Sequence, residues 1–230
     1  MKKDLLSIAD LNGKDIEGLI EKARRMKKEA PMALLSGKTL VLLFEKPSLR
    51  TRVSFEMAMY QLGGHSIYLS PEEVGVGRRE AVADVARVLS RYVDAIAART
   101  FSHETLSILA AHSSAPVINA LSDLEHPCQA LADLLTIREK KGKLRGLSLA
   151  FIGDGNNVAN SLLLSASLVG IDFRLACPPG YEVKKEVLSK GRKFAALSGS
   201  RIQLTSDPYK AAKGADVIYT DVWVSMGQEA

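Results

Sequence analysis

Along this chain, short apolar runs alternate with segments whose apolar residues recur every three or four positions. The run Thr39-Leu40-Val41-Leu42-Leu43-Phe44 is continuously apolar, the pattern of a strand buried on both faces. The polar turn Glu45-Lys46-Pro47-Ser48 follows it, and residues 50–62 then take a helical period that stops at Gly63-Gly64. The alternation continues with strands over 66–69, 94–98 and 116–119 and helices over 80–92, 104–112 and 127–141. Parallel strands need a crossover between them, and a helix is the usual one, so this order predicts a parallel sheet with helices on both faces. Ahead of it, residues 5–28 read as a helical hairpin or one long helix, with Asp10 and Asn12 as candidate caps and Pro31 as the stop. The charged breaker Gly142-Lys143-Leu144-Arg145-Gly146 marks a domain boundary. A second series follows: strands over 147–152, 173–176, 202–204 and 217–220, and helices over 158–169, 182–197 and 209–213. The fold class is therefore α/β, as two tandem doubly wound parallel-sheet domains over residues 1–143 and 144–230.

The length of 230 residues suits one large domain or two small ones. A hydrophobic share of 47% with 25% charged residues is that of a soluble globular chain with a packed core. No apolar run approaches the roughly 20 residues that span a bilayer, and the start Met1-Lys2-Lys3-Asp4 does not lead into an apolar signal segment. The net charge of +5 is a mild excess that suits either a basic solvated surface or small anionic ligands. With 6% aromatic residues and no aromatic-interleaved basic stripe, nucleic acid is a poor partner. Two cysteines, Cys128 and Cys177, are too few for a disulfide framework or a cysteine zinc site, which points to a reducing, cytoplasmic setting.

Five places could carry chemistry. In Ser48-Leu49-Arg50-Thr51-Arg52 a buried strand gives way to a helix start. Unpaired backbone N–H groups, two hydroxyls and two arginines there suit a phosphate, although a capped helix with surface arginines has the same sequence. It is not a P-loop, since no glycine-rich run ending in Gly-Lys is present. Arg52 and Glu56 are spaced to pair along the helix, which would make Arg52 partly structural. His126-Pro127-Cys128-Gln129 opens a helix after the strand 116–119. His126 could donate to an oxyanion or cap the helix, Gln129 could bind an amide-like group, and Cys128 is a nucleophile or a small buried residue. Arg99 closes the strand 94–98 on the same sheet edge. Gly153-Asp154-Gly155-Asn156-Asn157-Val158 imitates a dinucleotide fingerprint, but Val158 stands at the third glycine and Asp172 precedes its strand instead of ending it. Asn156 and Asn157 would suit a carboxylate. Finally, Asp221-Val222-Trp223-Val224-Ser225-Met226-Gly227 follows the last strand and reads as a surface loop or as a holder for the head of an amino acid.

These motifs, in this order, resemble the aspartate/ornithine carbamoyltransferase family over essentially the whole chain. Ser48-Leu49-Arg50-Thr51-Arg52 is similar to the family's Ser-Thr-Arg-Thr-Arg loop, and His126-Pro127-Cys128-Gln129 to its His-Pro-x-Gln motif. Arg99 matches the arginine after its third strand. Gly153-Asp154-Gly155-Asn156-Asn157 and Asp221-x-x-x-Ser225-Met226-Gly227 resemble its ornithine branch. The resemblance implies that Ser48, Leu49, Arg50 and Thr51 hold the phosphate of carbamoyl phosphate. Arg99, His126 and Gln129 would hold the carbamoyl group, and Asn157, Asp221, Ser225 and Met226 the ornithine head group. Arg50, Arg99, His126 and Asp221 would carry catalysis, with no metal, no cofactor and no covalent intermediate. It further implies a homotrimer of arginine metabolism that forms citrulline.

Three positions depart from the family pattern. Leu49 replaces a threonine, and Gly75 stands where many relatives place Gln or His near a neighbouring subunit's site. A His-Cys-Leu-Pro segment is expected beyond Ala230, so the second domain reads as incomplete and the chain as one that binds substrate with turnover in doubt. A non-catalytic carbamoyl phosphate-binding fragment or degenerate subunit is the competing expectation, and a dinucleotide-dependent oxidoreductase a remote one.

Overall fold

The computed structural model describes residues 4–29, 32–75 and 79–221. The chain divides into two compact units. One comprises Met1–Ser7 with Met26–Pro127, the other Ile8–Arg25 with Cys128–Ala230.

The first unit is built on strands β1 (Thr39–Phe44), β2 (His65–Leu69), β3 (Ala95–Arg99) and β4 (Val117–Leu121), all parallel, in the order β2-β1-β3-β4. The apolar run is the reason β1 sits in the middle. Its alternate residues Val41 and Leu43 pack with Ile96, Ala98, Val85, Leu106 and Leu109, while Leu40, Leu42 and Phe44 pack on the opposite face with Ala97, Ala120 and Met59. Both faces of this strand are dry, as a continuous apolar run requires. The helices that cover it are α2 (Leu49–Gln61), α4 (Val82–Leu89) and α5 (His103–His112), and a single turn, α3 (Pro71–Val74), lies between α2 and α4. Gly75 ends α3 in the left-handed conformation, φ 53°, where a side chain would also press on Arg79. The start of the chain departs from the helical expectation. Leu5 forms a parallel bridge to Ile118, with Leu5 N donating to Val117 O and Asn119 N to Leu5 O.

The second unit repeats the topology. Strands β5 (Ser148–Ile152), β6 (Asp172–Ala176), β7 (Ile202–Thr205) and β8 (Val217–Thr220) are parallel in the order β7-β6-β5-β8. Its helices are α1 (Gly13–Met26, of which Met26 groups with the first unit), α6 (Pro127–Lys141), α7 (Asn157–Val169), α8 (Lys185–Ser198) and α9 (Pro208–Ala212). Helix α7 is buried almost all round, and two of its buried hydroxyls bond back within the helix: Ser165 donates to Leu162 O and Ser167 to Leu163 O. Gly191 lets α8 close on it, since a side chain there would strike Leu163.

Grouping by contact differs from a division at 143/144. Helix α1 buries Ile16 and Ile20, Gly13 lies against the Leu168 carbonyl of α7, and Glu21 pairs with Arg138 of α6 at 3.0 Å. These contacts join α1 to α7 and α6, and residues 8–25 group with the second unit. Asn12 is the cap of α1: its Oδ1 accepts from Asp15 N and Asp15 Oδ2 accepts from Asn12 N.

Candidate active site

In each sheet the first strand stands between its successor on one side and a later strand on the other. Crossovers therefore leave in opposite directions from the carboxyl ends of β1 and β3; in the second sheet the chain leaves β5 toward β6 and β7 and comes back on the other side of β5 as β8. A crevice opens at such a switch point, which is where open parallel sheets bind ligands.

At the first switch point, Phe44 and Arg99 are register partners, and Glu45 N donates to Arg99 O at 2.8 Å. Glu45 Oε2 accepts from Phe101 N, so the turn after β1 is tied to the turn after β3. Ser48 caps α2 from extended backbone, accepting from Thr51 N at 3.4 Å and donating to Thr51 Oγ1 at 3.0 Å. Leu49 and Arg50 are exposed beside it, so the helix start presents backbone N–H groups and a guanidinium to solvent. Arg99 is 5% exposed; burial, and then the charge of Arg50, lower its pKa. Lys46, with its ammonium 4.3 Å from the Phe101 ring, is pushed down by burial and by Arg99. Arg50 depresses Arg99 and Arg99 depresses Lys46, and cations crowded in this way suit a small anion. Lys46 was not singled out in the sequence; its position directly after the buried strand was the available signal. Arg52 is committed elsewhere, pairing with Glu56 at 2.9 Å and stacking 3.8 Å over the Tyr68 ring.

His126 belongs to the first unit and follows β4 on the same edge. The loop before it is wound around Ser122, whose hydroxyl accepts from Leu124 N and Glu125 N while Ser122 N donates to Glu125 O. Pro127 then starts α6, where a missing N–H costs nothing. Cys128 does not suit a nucleophile, since burial pushes its thiol up to about 12. Gln129, in the second unit, donates through Nε2 to Asp133 Oδ1 at 3.0 Å.

At the second switch point, Asn156 caps α7 through Oδ1, accepting from Val158 N and Ala159 N at 3.0 Å each. Its Nδ2 donates to Asp221 Oδ2 at 2.9 Å, which brings the loops after β5 and β8 together. Asn157 is the first residue of α7. Asn156 already takes the helix-start N–H groups that a pyrophosphate would need. Gly155 is pressed against Glu182 and Val183, where a Cβ would lie 2.3 Å from Val183 N, so its missing side chain serves the chain's own packing. Asp172 starts β6 at the opposite sheet edge and accepts from Arg201 N. The partial dinucleotide fingerprint is thus a structural device. Ser225 and Met226 lie outside the described residues. No group of acidic, His and Cys side chains suited to a metal occurs among the described residues.

Two switch-point sheets, with a basic helix start in the first and a carboxylate–amide pair in the second, describe a protein that handles a small anion and a second polar ligand. Models of two domains match the chain: the aspartate/ornithine carbamoyltransferase carbamoyl-P binding domain over residues 3–139, and the Asp/Orn binding domain over 145–230. Curated relatives include an ornithine carbamoyltransferase of Picrophilus torridus, 51% identical over 100% of this chain and 76% of its own length, and one of Anoxybacillus flavithermus, 55% identical over 99% and 74%. Among solved structures, ornithine carbamoyltransferase from Pyrococcus furiosus superposes with a TM-score of 0.96 at 51% identity, covering 99% of this chain and 74% of that one. The chain belongs to the aspartate/ornithine carbamoyltransferase family.

Proposed function

We infer that the protein transfers the carbamoyl group of carbamoyl phosphate to the δ-amine of L-ornithine, giving L-citrulline and phosphate. The observation that carries this reading is the cation cluster of Lys46, Arg50 and Arg99 around the Ser48-capped helix start. The division of labour follows the 1–143 and 144–230 halves. Ser48, the Leu49 backbone, Arg50 and Thr51 take the phosphate, while Arg99, His126 and Gln129 take the carbamoyl group. Asn157, Asp221, Ser225 and the Met226 backbone take the head group of ornithine, with Asp221 opposite its α-ammonium.

In the reaction the neutral δ-amine attacks the carbamoyl carbon directly. Arg50 stabilises the charge that gathers on the leaving phosphate, and Arg99 and His126 that on the carbonyl oxygen. The rest of the acceleration comes from holding two substrates within reach of each other. The positive charge of the edge draws in the anionic substrate.

The assembly is a homotrimer in the cytoplasm, serving arginine metabolism. Supporting the assembly, α2 carries Leu49, Val53, Met57 and Tyr60 on one exposed stripe, with Leu49 79% and Tyr60 76% exposed. Both cysteines are free thiols, as a reducing compartment keeps them.

Titrating the protein with carbamoyl phosphate, alone and with L-ornithine, while measuring citrulline separates transfer from capture. Binding with citrulline release is expected. Binding with no product, ornithine present or not, would favour a carbamoyl phosphate-binding chain.

A further inference from the structure

Gln129 stands in the first turn of α6 and Asp133 one turn later, so the two side chains share a helix face. Gln129 Nε2 donates to Asp133 Oδ1 at 3.0 Å. A carboxylate only accepts, so this bond settles which way the amide is turned: its NH2 end is spent on Asp133, and its oxygen is left to accept from something else. Tyr219 of β8 stands near Asp133, close enough for each group to shift the other's pKa, and the Tyr219 ring is stacked on Phe151 with centroids 5.4 Å apart and planes 14° from parallel. Burial raises the Asp133 pKa, the bond from Gln129 and the nearby Tyr219 hydroxyl pull it down, and the charge of Asp221 raises it again. Neither Asp133 nor Tyr219 has a part in the transfer chemistry derived above, yet each contributes a half-buried polar group to one chain of contacts ending at Gln129.

We propose that Asp133, beside Tyr219, is a positioning residue that fixes the Gln129 amide with its oxygen presented, so that the site accepts a hydrogen bond from a carbamoyl NH2 and rejects an acyl phosphate carrying a methyl group there. The inference rests on the reading of Gln129 as a carbamoyl-binding residue. Its chemistry is that of a one-sided acceptor. Carbamoyl phosphate brings an N–H donor to Gln129 Oε1. Acetyl phosphate, of nearly the same shape, brings a methyl group and leaves that oxygen desolvated without a partner. A site built around a substrate N–H discriminates strongly against an analogue lacking it. If the amide were free to rotate, either end could face the ligand and much of the discrimination would go.

The test is calorimetric titration of the protein with carbamoyl phosphate, acetyl phosphate and inorganic phosphate. For the unsubstituted protein, carbamoyl phosphate should bind at least about tenfold more tightly than acetyl phosphate, one hydrogen bond's worth of selectivity. Asp133→Asn, close in shape but able to donate or accept, should cut that ratio several-fold through weaker carbamoyl phosphate binding, with inorganic phosphate affinity unchanged. Tyr219→Phe should move the ratio the same way by less. In a Gln129→Met background, Asp133→Asn should leave the ratio unchanged. An unaltered ratio in Asp133→Asn, or equal weakening of all three ligands, overturns the proposal. If the unsubstituted protein binds inorganic phosphate without preferring carbamoyl phosphate, this inference fails alone. If it binds none of the three, the functional reading fails with it.

Discussion

Arg50 and Arg99 stand close enough for the charge of one to lower the pKa of the other, and Lys46 feels Arg99 in turn. A chain keeps such a cluster against its own repulsion where an anion offsets it. Arg50→Ala should therefore weaken carbamoyl phosphate binding by about 1.5–3 kcal/mol, the scale of a charged hydrogen bond, with folding unchanged because Arg50 is exposed. Calorimetry checks it, and unaltered affinity would remove Arg50 from the site. Asn156 carries two jobs, a helix cap and a bond to Asp221. Asn156→Ala should cost about 1 kcal/mol of stability in urea unfolding. Ser48, Arg50 and Arg99 were legible from sequence because strand ends and helix starts are local signals. Lys46 and Tyr219 were not, because what gives them meaning comes from residues remote in the chain, Arg99 for Lys46 and Asp133 for Tyr219; Asp133 was overlooked although its partner Gln129 lies one helical turn before it.

Among the elements, one device recurs in both sheets. Asp94, just before β3, accepts from Thr39 N and from Lys38; Asp216, just before β8, accepts from Ser148 N and the Ser148 hydroxyl. Each carboxylate fastens the entry of its sheet's central strand. The Lys38 and Thr39 bonds hold the Asp94 carboxyl below the usual aspartate range, and the two Ser148 bonds do the same for Asp216. Groups depressed in the folded state contribute stability that is present above their unfolded pKa and lost as pH falls through the folded value. Stability should thus decline below about pH 4. Urea titrations at stepped pH should show a shallower acid decline for Asp216→Asn. Helix α7 sets a second expectation: Leu163 is fully buried, so Leu163→Ala should destabilise by about 2–5 kcal/mol in the same assay. Each named strand among the described residues was legible, β1 and β5 as near-continuous apolar runs and the others as short apolar stretches between turn signals. Boundaries shifted where tertiary contacts intervened. Residues 181–183 are held over Gly155, with Gly155 N donating to Tyr181 O, and α8 starts only at Lys185. The buried Asn119 lies inside a strand that runs on to Leu121, because its amide donates to Leu6 O.

At the scale of the molecule, the boundary expected from the charged breaker near Gly142 divides the two sheets in sequence, but not the helices that pack on them. No local pattern told α1 to cross to the second sheet, since the decision lies in Gly13 fitting the Leu168 carbonyl and Glu21 meeting Arg138. The exposed stripe on α2 belongs to this scale too. If copies of the chain meet there, Met57→Lys should convert the proposed homotrimer to smaller species by light scattering, while an equivalent change at the exposed Leu197 should not. The central claim is carbamoyl transfer to ornithine, and a competition assay tests it most directly. The protein is given carbamoyl phosphate with equal L-ornithine and L-aspartate, and the products are separated and counted. Citrulline without carbamoyl-aspartate is the predicted result, and carbamoyl-aspartate without citrulline would contradict it.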